Sequence, residues 1–127
     1  MADDDDVLAA NRAFYAAFEE RDIDAMSDLW ERSDRAVCVH PGWGRLSGWA
    51  SISASFFALF QNGQPLQFIL TGEKVDVDGD TAWVSVDENI LSDEVGGTVA
   101  ALNLFVRAAG DWRLVVHHGS SVVDRQE

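Results

Sequence analysis

Apolar residues recur at helical spacing in the first half of the chain and in alternation through the second. Over residues 7–20, Val7, Phe14 and Phe18 fall on one stripe with Leu8 and Tyr15 on its shoulder, which predicts a helix. Asn11 lies in the middle of that stripe, so its amide needs either a partner in the interior or a cavity to face. Arg21-Asp22 breaks the pattern, and Asp22 suits the cap of a shorter second helix in which Ile23, Met26 and Trp30 share a face. Residues 36–40 read as a short strand, stopped by Pro41-Gly42. Ser47 is expected to cap a third helix whose buried stripe is Trp49, Ile52, Phe56, Leu59 and Phe60, with Asn62-Gly63 as its end.

Everything after Pro65 has β character. Residues 66–77 and 81–91 flank Asp78-Gly79, a strong hairpin signal, and residues 98–107 and 112–123 flank Ala109-Gly110-Asp111. Helices followed by a meander of long strands predict an α+β fold. Its three N-terminal helices pack on one face of a curved, mainly antiparallel sheet. Several strands are apolar on both faces, as in residues 102–106, so the outer face needs a cover of its own. A homodimer through that face is the expected cover.

Composition narrows the function classes. The 127 residues suit one domain, 1–127, with a heavy aromatic load of five Trp and seven Phe to fill a core or line a cavity. Net charge is −13, and the nine basic residues, one of them Lys, form no stripe. That balance argues against nucleic acid and against an anionic membrane surface. The run Asp3–Asp6 favours the positive end of the first helix. Cys38 is the one cysteine, so no intrachain disulfide forms. The acidic start does not resemble a signal peptide, and no apolar run approaches the roughly 20 residues of a membrane span. The expected setting is cytoplasmic.

Three stretches carry a family resemblance. Residues 14–26 look like a corner between a first and second helix. The sequence His40-Pro41-Gly42-Trp43-Gly44-Arg45-Leu46-Ser47-Gly48 looks like a loop into a third helix, and residues 110–120 like a closing strand. In this order they resemble the nuclear transport factor 2-like superfamily, which includes SnoaL-like proteins, ketosteroid isomerases and the association domain of calmodulin-dependent kinase. The resemblance implies a cone-shaped, cystatin-like α+β fold with a pocket inside it, and no cofactor. It also implies what is missing. The ketosteroid isomerase base, an Asp before the loop proline, is matched here by His40. The oxyanion Tyr of the first helix falls at Phe14, with Tyr15 one step on. The protonated Asp of the third strand falls near Leu102 or Asn103. The steroid isomerase triad is therefore absent as such.

Several residues are candidates for a site. His40 can exchange a proton near neutral pH, and the resemblance places it at a pocket mouth, where it could serve as general acid/base. A histidine satisfied at a strand end is the alternative. Trp43 lies in the loop at that mouth. In the last strand, alternation separates Trp112, Leu114, Val116 and His118 from Arg113, Val115 and His117. The first set is more apolar at its start, which sends His118 inward. If Arg107 pairs with Trp112, then Asn103 pairs with Val116 and becomes a diagonal neighbour of His118. Either Glu88 or the pair Asp87 and Asn89 faces inward. A regular hairpin puts Glu88 beside Val84 and Val86, which favours Glu88, with a solvated strand end as its alternative. Tyr15 is a possible donor. His117 and His118, on opposite faces, cannot chelate one ion, and no zinc spacing occurs, so no metal is expected. Cys38 and His40 share a strand face at a rise of about 6.6 Å, beyond hydrogen-bond reach for a thiol nucleophile. Ser51, Ser53 and Ser55 read as helix surface or small packing residues.

The function expected from these features is a pocket for a small, largely apolar molecule, lined by Tyr15, Trp43, Glu88, Asn103 and His118. Two alternatives stay open. One is an isomerase, hydratase or cyclase using His40 on a carbonyl compound. The other is an oligomerisation module.

Overall fold

The computed structural model describes residues 2–92 and 96–123. Helix α1 (Ala2–Glu20) has Asp3, Asp4 and Asp5 in its first turn, where the partial positive charge of unpaired N–H groups favours them. Val7, Asn11, Phe14 and Tyr15 all face the interior and are buried. The helix ends in a Schellman turn: Arg21 N donates to Phe18 O, Asp22 N to Ala17 O, and Arg21 takes the left-handed conformation at φ 53°. Asp22 then caps α2 (Ile23–Leu29) by accepting from Ala25 N at 3.1 Å, as its position predicts.

Strands β1 (Val37–Val39) and β2 (Leu46–Ser47) bracket the Pro-Gly loop and lead into α3 (Trp49–Asn62). Here the expectation for Ser47 is corrected. Ser47 pairs with Val37 in the sheet, and the cap position is Gly48, which offers no side chain. At φ 86° Gly48 turns the chain from strand to helix, a conformation that glycine adopts without a Cβ penalty. Its N–H is satisfied by Ala36 O.

The meander follows as β3 (Gln67–Asp78), β4 (Thr81–Leu91), β5 (Gly97–Ala108) and β6 (Asp111–Ser121). One six-stranded sheet results, ordered β2-β1-β6-β5-β4-β3, with β1 parallel to β6 and every other pair antiparallel. All three helices lie on its inner face. Phe14, Trp30, Phe56 and Phe105 fill the space between the layers, each worth about 1.5–3 kcal/mol relative to exposure.

The register of β6 decides which side chains the cone encloses. Arg107 does pair with Trp112, as the turn predicts. A bulge then intervenes, because Phe105 pairs with Leu114 while Leu104 pairs with Val116. Val115 is the extra residue, and a bulge reverses the alternation beyond it. Asn103 therefore lies opposite His117, which is buried, and His118 pairs with Leu102 on the exposed outer face. The inward placement of His118 expected from strict alternation is corrected. The physical reason is one residue inserted in the strand, after which every later side chain changes face.

Candidate functional site

The four long strands and α1 enclose a hydrogen-bonded chain of polar side chains, all buried. Tyr15 OH donates to Glu88 Oε2 at 2.6 Å. Asn103 spends both Nδ2 protons, one on Tyr15 OH at 3.1 Å and one on Asn11 Oδ1 at 2.8 Å. Its Oδ1 must then accept from the Nδ1–H of His117, at 2.6 Å. That assignment makes His117 the neutral Nδ1–H tautomer and leaves Nε2 with a lone pair. Asn11 continues the chain outward through Nδ2 to Glu73, 3.5 Å away, which pairs with Arg12 near the surface. The amide in the middle of the α1 stripe has thus found interior partners.

Across the interior, the end of β1 faces α3. Ser55 donates its proton to Ile52 O at 2.7 Å, so at 2.9 Å its oxygen accepts from the Nε2–H of His40. His40 is packed edge-on against Phe56 and Trp43. Cys38 Sγ stands 3.7 and 3.9 Å from the two ring nitrogens of His40, closer than the strand rise alone implies, because both side chains turn toward the core. Near-equal distances to both nitrogens put the sulfur against the ring rather than on one lone pair. Burial pushes the Cys38 thiol up to about 12, so it is no nucleophile at neutral pH.

Both groups border a cavity of about 180 Å³. His40, Glu88 and His117 supply its polar wall, and Phe18, Leu66 and Phe68 are among its apolar lining. Trp43, 44% exposed, forms part of the rim. Gly119 leaves room for Val99 and Pro41, since a Cβ there would stand 2.9 Å from Val99 Cγ1 and 3.5 Å from Pro41 Cγ.

Burial governs how these groups hold protons. It lowers His40 to about 4. It lowers His117 to about 3, with the neighbouring imidazoles of His40 and His118 adding to the effect. It raises Glu88 to about 7, a rise held in check by the hydrogen bond from Tyr15. Tyr15 itself is pushed upward by burial and then by the adjacent Glu88, so it remains a donor. Both imidazoles are neutral at pH 7. The group poised between its two protonation states is the carboxyl.

The sequence-predicted residues divide accordingly. His40, Trp43 and Glu88 line the cavity. Tyr15 and Asn103 stand behind it, one holding Glu88 and the other fixing the tautomer of His117. His118 is outside. Sequence reasoning missed His117 because of the bulge, and it read Ser55 as helix surface or a small packing residue without seeing it as the partner of His40. Its signal was present, since Ile52, Ser55, Phe56 and Leu59 fall at i, i+3, i+4 and i+7. Among the described residues no three His, Cys, Asp or Glu side chains cluster to hold a metal. No helix among them is long and apolar enough to cross a membrane.

Known proteins share this fold. The chain superposes with a TM-score of 0.90 on a Streptomyces avermitilis protein provisionally described as a dehydratase from the nuclear transport factor 2-like family. That protein is 40% identical over 97% of this chain and 98% of its own. A Thiobacillus denitrificans protein, provisionally described as a calcium/calmodulin-dependent protein kinase type II association domain, is 35% identical at a TM-score of 0.77. That match covers 91% of this chain and 94% of its own. The F-box protein SKIP8 of Arabidopsis thaliana is 28% identical over 95% of this chain, which spans 52% of that relative's length. The structural neighbours include proteins described as having a cystatin-like fold, and the cone expected from the sequence is of that kind. Residues 7–124 match the SnoaL-like domain, and the chain belongs to that family.

Proposed function

We propose that the cone binds a small, largely apolar carbonyl compound and that Glu88 moves a proton on it. The observation that carries this reading is a carboxyl at the wall of an apolar cavity, held by Tyr15 through one oxygen and raised to about 7. Among the described residues its Oε1 has no hydrogen-bond partner. A group that is half ionised at neutral pH can both take and return a proton, the optimum for acid–base catalysis. His40 is less suited, because its Nε2–H is committed to Ser55 and its conjugate acid is too strong to persist at pH 7.

The 40%-identical relative described provisionally as a dehydratase supports elimination of water from a β-hydroxy carbonyl compound. In that reaction the Glu88 carboxylate removes the proton α to the carbonyl, and the C–H electron pair delocalises into the carbonyl. Glu88 then returns the proton to the β-hydroxyl as the C–O bond breaks. Water leaves, and the carboxylate is regenerated. The His117 Nε2 lone pair is available to accept from the substrate hydroxyl. The test is a panel of small apolar ketones and β-hydroxy ketones in D₂O. Deuterium is expected at the α-carbon, with Glu88→Gln slowing exchange by about 10²-fold or more. Undiminished exchange in Glu88→Gln would remove Glu88 from the chemistry. Binding of no panel member would remove the pocket reading itself.

The outer sheet face supports a homodimer. Trp83, Leu104 and Val116 form a row across three strands, and Leu102 beside them is 45% exposed. Sedimentation should give a dimer at micromolar concentration and a monomer for Leu102→Asp. A monomeric wild type would reject this assembly.

A further inference from the structure

We infer that Arg21 anchors a carboxylate on the molecule the cone binds, which makes the ligand a small apolar oxo- or hydroxy-acid. The inference rests on the pocket reading above and adds the ligand's second polar end. A second apolar cavity, of about 240 Å³, adjoins the first and shares Phe18, Leu59, Leu66 and Ile90 with it as walls. Arg21 and Gln64 are the polar side chains of its lining.

The company Arg21 keeps makes its position informative. Its neighbours in sequence are Glu19, Glu20 and Asp22, in a chain of net charge −13. Among the described residues no carboxylate is ion-paired with the exposed Arg21. Glu19 instead accepts from Phe68 N at 2.8 Å, and Asp22 caps α2. Arg21 Nη1 donates to Gly63 O at 3.1 Å, which draws the guanidinium from the α1 corner to the end of α3, at the cavity. One of five N–H donors is used, and the rest of the fork can take a carboxylate.

The backbone points the same way. Arg21 occupies the left-handed position of the Schellman turn, where glycine is favoured and a side chain costs about 1 kcal/mol. The Gly63 contact explains where the side chain lies. Charge also fixes the ligand's orientation. An ionised acid is repelled by a carboxylate at Glu88, so the acid end goes to Arg21. The apolar body then runs past Phe18 and Leu66, leaving a neutral carbonyl or hydroxyl facing Glu88.

The experiment is a calorimetric titration of the whole chain with phenylbutyrate and with its methyl ester, beside the neutral ketone panel. Wild type is expected to prefer the acid. Arg21→Gly suits the left-handed backbone and so preserves the fold, and it should weaken acid binding about fivefold while leaving the ester unchanged. If Arg21→Gly keeps the wild-type acid-to-ester ratio, Arg21 is a strut between helices and the inference is overturned. If neutral ketones bind and the acid does not, the carboxylate anchor is rejected while the pocket stands. If nothing binds, the pocket reading fails and takes the anchor with it.

Discussion

The two walls of the cavity hold similar inventories of polar groups and use them differently. On the β1–α3 side, His40 gives its one proton to Ser55, which passes its own to a helix carbonyl, so the wall is closed and neutral. On the sheet side, Tyr15 and Asn103 are also fully committed and His117 gives its one proton to Asn103, but Glu88 keeps one oxygen uncommitted beside the cavity. Both walls are buried, and burial acts oppositely on the two chemistries. It disfavours the charged imidazole and the charged carboxylate alike, which moves histidine away from neutrality and glutamate toward it. A reactive group is therefore identified by what burial does to its proton affinity, and its place at the mouth of a pocket decides less.

The sharpest way to break this contrast is to exchange the walls' roles. Glu88→Gln should reduce proton exchange by about 10²–10⁴-fold, whereas His40→Gln, which keeps a donor for Ser55, should change it by less than about tenfold. Equal losses in both variants would merge the two walls into one acid–base pair. Next in size is the cost of opening each network. Asn103→Leu strands the His117 Nδ1–H and leaves Tyr15 and Asn11 each short of a partner, so urea unfolding should show a loss of about 2–4 kcal/mol. Ser55→Ala strands a single N–H and should cost about 1–2 kcal/mol.

The pH dependence of stability separates the walls again, with a smaller effect. His40 and His117 have lowered affinities in the fold, so their contribution is present above pH 6.5 and is lost as pH falls toward 4 and 3. Glu88 has a raised affinity, so its contribution is present below pH 4.5 and is lost as pH rises through 7. Between pH 4.5 and 6.5 the unfolded chain thus holds two of these protons and the folded chain one. These three groups make stability rise with pH by about 1.4 kcal/mol per unit. In Glu88→Gln the opposing term disappears, and the slope should steepen by a similar amount. Melting curves across that window check it, and an unchanged slope would mean Glu88 is ionised in the fold.

Much of this architecture could be read from the chain. The helices, the Asp78-Gly79 hairpin and the pairing of Arg107 with Trp112 follow from spacing and turn residues, which act locally. Glu88 was legible for the same reason, since a regular hairpin carries its face from Val84 and Val86. His117 was not. A bulge at Val115 is decided by how β6 fits β5 and the helices above it, and nothing in Arg113–Val116 marks which residue will be extra. The division between wall and support was also hidden. Tyr15 and Asn103 were visible as polar residues in apolar surroundings, but whether they touch ligand or hold another side chain depends on distances that pattern does not encode.

The most direct test of the central claim is a carbon-13 NMR titration of the Glu88 side-chain carboxyl. A midpoint near 7 is expected, moving higher in Tyr15→Phe, where the hydrogen bond that favours the carboxylate is gone. A midpoint at the ordinary glutamate value of 4.5 would contradict it, leaving a cavity with no group tuned for proton transfer.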